Sequence, residues 1–128
     1  MSERIIFEYA VIRFVPRVER EEFLNVGVVL FCAKQKFLSA LVKVDEARIS
    51  SFNQDSDIEE LKRHLQSFNS ICAGAKSGGP IASLDQASRF RWLTAARSTI
   101  IQTSKVHPGL TLDAQETLNQ LFKEQVAT

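Results

Sequence analysis

Residues 26–32, VGVVLFC, are apolar at every position. Seven residues are too few for a buried helix, and this composition suits a strand covered on both faces. Such a strand needs neighbours, and its flanks supply them. Residues 4–15, RIIFEYAVIRFV, are β-branched and aromatic, are apolar on most positions of both alternating faces, and run into Pro16. They read as a second internal strand. After the polar break Ala33-Lys34-Gln35-Lys36, the run FLSALVKV (37–44) places Leu38, Ala40, Val42 and Val44 on one face. Two such runs across a short polar loop read as an antiparallel hairpin. Gly27, at the entry of the central strand, is expected to serve a bulge or the close approach of another backbone.

The hydrophobic period then lengthens. Asp57 can cap a helix in which Ile58, Leu61, Leu65, Phe68 and Cys72 follow at helical spacing. Gly74 and Lys76-Ser77-Gly78-Gly79-Pro80 end it in a flexible loop. Ser83 with Gln86 has the form of a capping box for a helix near 84–94. Ser98–Thr103 reads as a fourth strand with Ile100 and Ile101 inside it. Asp113 with Glu116 repeats the box ahead of a face made by Ala114, Leu118, Leu121, Phe122 and Val126. Strands first and helices later, without βαβ alternation, define an α+β class. The expected architecture is an antiparallel β-meander of three to four strands packed against about three helices, in a single domain over 1–128.

A chain of 128 residues buries about two-thirds of its extended surface on folding, enough for a core. Cys32 and Cys72 lie in separate apolar stretches without zinc spacing, so both are expected reduced and buried. No leader-like segment, sequon or membrane-length apolar run occurs, and a soluble cytoplasmic protein is the expectation.

Chemistry-bearing motifs are sparse. No P-loop, GxGxxG, HExxH or GxSxG pattern occurs, so no cofactor is implied, and no local spacing builds a metal site. His64, beside Lys62 and Arg63, reads as a solvated surface histidine. Glu19, Glu21 and Glu22 with Arg17 and Arg20 read as a self-neutralising turn between the first two strands.

The net charge of +1 hides an asymmetry. From Gln86 to Leu112 the chain carries Arg89, Arg91, Arg97 and Lys105 and no carboxylate. Planar guanidinium groups beside aromatic rings suit phosphate or carboxylate recognition, and Trp92 can stack a base. The candidate binding residues are Arg89, Arg91, Trp92, Arg97, Ser98, Thr99, His107 and Asn25. Competing structural roles are explicit: Phe90 and Leu93 belong in the core, Trp92 covers it, and Arg89 pairs with Asp85 one turn earlier.

The stretches FEYAVIRFVPRVEREEFLNVGVVLF (7–31) and RFRWLTAARSTIIQTSKVHPGL (89–110) together resemble the bacterial family catalogued as domain of unknown function 3037. The resemblance rests on Arg13, Pro16, Glu22, Asn25, Gly27, Arg89, Arg91, Trp92, Arg97, Ser98, Thr99 and His107. Ala96 stands where the family pattern has a proline. The resemblance implies no activity, and it implies an interaction role, as a small partner of a HipA-like kinase.

Two functional readings follow. In the first, the protein is a non-catalytic binding module that offers its arginines to an anionic group on a protein or, as a second class, on nucleic acid. In the second it is an enzyme, a hydrolase or transferase, acting on a phosphorylated or nucleotide-like substrate. There His107 would be acid or base, assisted by Glu22 or Ser98, with His107 and Arg97 in one cleft.

Overall fold

The computed structural model describes residues 3–97 and 99–127. Five antiparallel strands form one sheet: β1 (Ile5–Phe14), β2 (Leu24–Cys32), β3 (Phe37–Val42), β4 (Ile101–Thr103) and β5 (His107–Thr111). Four α-helices cover it: α1 (Glu46–Phe52), α2 (Ile58–Ala73), α3 (Gln86–Leu93) and α4 (Ala114–Gln125). The class is α+β, with one strand and one helix more than the hydrophobic pattern announced.

The strand order is β3-β2-β1-β4, with β5 also paired to β1. Strands β4 and β5 therefore share one edge of β1, opposite residues 12–14 and 5–9 respectively. At the break between them Ser104 substitutes for the ladder. The Val11 N–H donates to Ser104 Oγ at 2.8 Å, and the Ser104 N–H donates back to the Val11 carbonyl at 2.9 Å. No backbone donor of Val11 is thus left unpaired in the interior.

The central strand β2 is buried at seven consecutive positions from Val26 to Cys32, as an all-apolar strand must be. Alternation divides its side chains between two cores. Val29 and Phe31 join Ala10, Ile12, Leu38, Leu61, Phe68 and Phe90 beneath α2 and α3. Val28, Leu30 and Cys32 join Phe7, Ala114, Leu118 and Val126 beneath α4. Both cysteines are free and buried, one on each side. Gly27 meets both of its expected duties. The β1–β2 register shifts beside it, between Ile12 and Arg13, and a Cβ there would lie 2.6 Å from the Leu41 carbonyl oxygen.

Helix boundaries follow their caps. Asp57 accepts the Glu60 N–H at 3.0 Å, and Gly74 ends α2 in the left-handed region at φ 69. Asp113 accepts from Gln115 and Glu116 N–H groups. The cap of α3 differs from expectation. Asp85, not Ser83, accepts the Ser88 N–H at 2.7 Å, while Ser83 Oγ donates to the Pro80 carbonyl within a 3-10 turn. The expected flexible loop is in fact two short 3-10 turns, Lys76–Gly78 and Pro80–Ser83. Among the described residues no helix is long and apolar enough to cross a membrane.

Candidate functional site

The arginines of the acid-free segment have three different fates, set by the helical register of α3. Positions 89, 90 and 93 face inward, and Phe90 and Leu93 enter the core. Arg89 goes in with them. Its Nε donates to the Leu84 carbonyl at 2.9 Å, and Nη1 donates to the carbonyls of Ile71 at 2.9 Å and Cys72 at 2.8 Å. The Ile71 and Cys72 carbonyls belong to the last turn of α2, where a cation also meets the negative end of the helix dipole. The expected ion pair with Asp85 does not form, because that carboxylate is spent on the α3 cap. The Ser88 backbone N–H holds Asp85 below the usual carboxylate range. Arg89 is therefore a structural cross-brace. The neighbouring Cys72 thiol is pushed up to about 12 by burial.

Arg91 points outward and meets Glu8 of β1 through two bonds, Nη1 to Oε2 and Nη2 to Oε1, both 2.9 Å. The bidentate bonds to Glu8 raise its pKa further and neutralise its charge.

Arg97 is different. Its guanidinium lies over the Trp92 ring at 3.6 Å from the centroid and donates through Nη2 to the Trp92 carbonyl. Among the described residues it has no carboxylate partner. Partial burial lowers its pKa from the usual arginine value.

Trp92, Arg97 and Thr99 line a cleft of about 250 Å³ between α2, α3 and β4, with an apolar floor of Phe68, Ile71, Leu93 and Ile101. Thr99 Oγ1 is engaged, donating to the Ile101 carbonyl at 2.6 Å. His64 and Ser67 of α2 and Gln102 and Thr103 of β4 complete the wall. Sequence reasoning missed these four as site residues. For His64 and Ser67 the signal was only a polar helix face at i, i+3, and for Gln102 and Thr103 only polar positions in a short strand, none of which names its neighbour across the fold. His64 keeps its expected solvent exposure and lies 3.7 Å from Glu60.

The remaining candidates lie elsewhere. His107 of β5 is the register partner of Tyr9, and their rings are 5.3 Å apart. Tyr9 belongs to the α4 side of the sheet, whereas Arg91, Trp92 and Arg97 ride on the α2–α3 side. Asn25 is also on the α4 side, donating through Nδ2 to the Gln125 carbonyl at 3.1 Å. Glu22 pairs with the exposed Arg20 at 2.6 Å. Ser98 lies outside the described residues. The convergence of His107 with Arg97 that an enzymic reading requires is therefore not formed. Nor does any group of three or more His, Cys, Asp or Glu gather as metal ligands among the described residues.

Fold and site together define a class: a small α+β protein with one mixed-edge sheet sandwiched between helices, and an arginine–tryptophan cleft on one face. The chain belongs to the family described as Protein of unknown function (DUF3037), which matches over residues 9–126. No curated protein and no solved structure matches it.

Proposed function

We propose that the protein is a non-catalytic binding module that recognises an anionic group of a protein partner at the α2–α3–β4 cleft. Arg97 supplies the charge, Trp92 holds its plane, and the apolar floor takes an adjoining aliphatic or aromatic group. The observation that carries this reading is the Arg97–Trp92 stack at the mouth of an apolar cleft, with no carboxylate among the described residues committed to the guanidinium. A partly buried, pre-oriented guanidinium loses little entropy on meeting an oxyanion. Arg89 and Arg91, being engaged inside the protein, contribute scaffold. On the resemblance alone the partner is a HipA-like kinase, and nucleic acid is the second class.

Trp92 is the only tryptophan, so its emission reports on this cleft and nothing else. The experiment titrates the protein with a peptide carrying phosphoserine next to leucine, its unphosphorylated form, and an oligothymidylate. The phosphopeptide is expected to change Trp92 emission saturably, less so as salt is raised, and Arg97→Ala abolishes the change while Arg91→Ala leaves it. A response only to oligothymidylate moves the site to the second class. No response to any of the three, or a phosphopeptide response that survives Arg97→Ala, overturns the reading.

A further inference from the structure

The two outer edges of the sheet differ in how they are protected. One side ends in β4, only three residues long, and in β5, whose Pro108 has no N–H to offer. The Ile101 carbonyl on that side is already taken by Thr99 Oγ1. Short strands and proline are ordinary protections of an exposed edge. The other side ends in β3, Phe37–Val42, which has neither proline nor charge among its six residues.

The direction of the β3 main chain follows from one bond. The Lys43 N–H donates to the Val26 carbonyl at 2.8 Å, so position 43 faces β2. Main-chain groups alternate between the two edges of a strand with period two. Phe37, Ser39 and Leu41 therefore face β2 as well, and Leu38, Ala40 and Val42 turn N–H and carbonyl outwards. Among the described residues no further strand and no loop main chain pairs with these outward groups. The side chains of the same three residues lie on the α2 side of the sheet. There Val42 and Val44 form one wall of an open groove of about 420 Å³. The other wall is a single stripe of α2 that includes Lys62, Leu65, Asn69 and Ala73.

We infer that this edge receives an extended segment of a partner protein as a sixth strand, an alternating apolar run with carboxylates at its ends. Main-chain bonds to Leu38, Ala40 and Val42 hold the segment, and its apolar side chains enter the groove beside α2. The charge around the edge selects the occupant. Lys34 and Lys36 precede β3 and Lys43 follows it; all three are exposed, and none meets a carboxylate among the described residues. Lys62 on the opposite wall is held by Glu46 and Glu59. A second copy of this chain, laid along β3 in either direction, brings lysines against lysines at both ends, an arrangement that like-charge repulsion disfavours. A strand flanked by aspartate or glutamate meets the same lysines with opposite charge. The groove shares no lining residue with the Arg97 cleft, so the two sites stand or fall independently.

The test follows amide hydrogen exchange in isotope-labelled full-length protein. The probe is a capped peptide in which valine and threonine alternate between terminal aspartates. At saturation it should slow exchange at Leu38, Ala40 and Val42 about tenfold or more, while Phe37, Ser39 and Leu41, already paired with β2, barely change. Lysine in place of the terminal aspartates should weaken binding about tenfold at low salt. N-methylation of all the valines, or of all the threonines, removes the donors from one edge of the peptide only. One of these two peptides should lose binding and the other keep it, which also reads the direction of the added strand. Ala40→Pro removes an outward N–H that β2 does not use and should abolish the slowing; if that variant does not fold, the peptides still decide. Trp92 emission stays constant throughout. No slowing at the three outward amides, binding that survives both N-methylations, or equal binding of the lysine-ended peptide overturns the inference. Slowing that grows with protein concentration in the absence of peptide overturns it in favour of a second copy.

Discussion

Replacing Arg89 should cost stability, and replacing Arg91 should not, although both belong to one Arg-Phe-Arg-Trp run. Arg89→Met keeps most of the side-chain volume but removes three charge-assisted hydrogen bonds to the carbonyls of Ile71, Cys72 and Leu84. Each such bond contributes about 1.5–3 kcal/mol. They share one side chain and are not additive, and stripping one partner from a buried charged network typically costs about 3–5 kcal/mol. For a domain of this size each kcal/mol lowers Tm by about 3–5 °C, so the expected fall is about 10–25 °C. Arg91→Met removes a pair in which the arginine side chain is 57% exposed. That is worth about 0–1 kcal/mol, or a few degrees at most. Arg89→Lys can reach one carbonyl of the three and should fall between, which keeps the comparison informative if the methionine variant does not fold. Thermal and urea unfolding followed by circular dichroism decide the matter. Equal losses at the two positions, or less than about 1 kcal/mol at Arg89, would refute the cross-brace role and return Arg89 to the surface.

Two further outcomes follow from the interior. The Cys72 thiol is raised from 9.0 to about 12 by burial. Its contribution to stability is complete below pH 9 and is lost as pH rises towards 12, because the unfolded thiol ionises first. The slope is about 1.4 kcal/mol per pH unit in that window. Cys72→Ala should remove that alkaline slope in urea melts at pH 8 and pH 10.5, and an unchanged slope would assign it elsewhere. Gly27→Ala drives a Cβ to 2.6 Å from the Leu41 carbonyl oxygen and 2.9 Å from Val42 Cγ1. Overpacking of that kind costs about 1–3 kcal/mol, and a urea midpoint equal to that of the parent would contradict the close approach.

Much of the fold is legible in the sequence because its signals are local and redundant. The strands β1 to β3 announce themselves by apolar composition, and α2 and α4 by spacing together with Asp57 and Asp113 at their caps. Helix α1 was missed because seven residues with Ile49 as the single buried side chain carry almost no period. Strand β5 was missed because His107-Pro108-Gly109 reads as a turn, and only pairing with β1, a hundred residues away, makes it a strand. The candidate site was less legible than the fold. Counting charge along the chain finds an excess, but three-dimensional structure divides it among an interior brace, a neutralised pair and one stacked guanidinium.

The shared edge of β1 also sets an order of events during synthesis. Strands β1, β2 and β3 emerge first and can pair at once through short connections. The partners of β1's other edge arrive only with residues 101–111, and the hydroxyl that closes the gap is 93 residues downstream of the amide it receives. For most of translation, then, the nascent sheet presents an apolar, unpaired strand edge, the kind of surface on which chains aggregate or recruit chaperones. The last quarter of the chain ends that exposure, β4 and the Ser104 bridge arriving first and β5 closing the remainder of the edge.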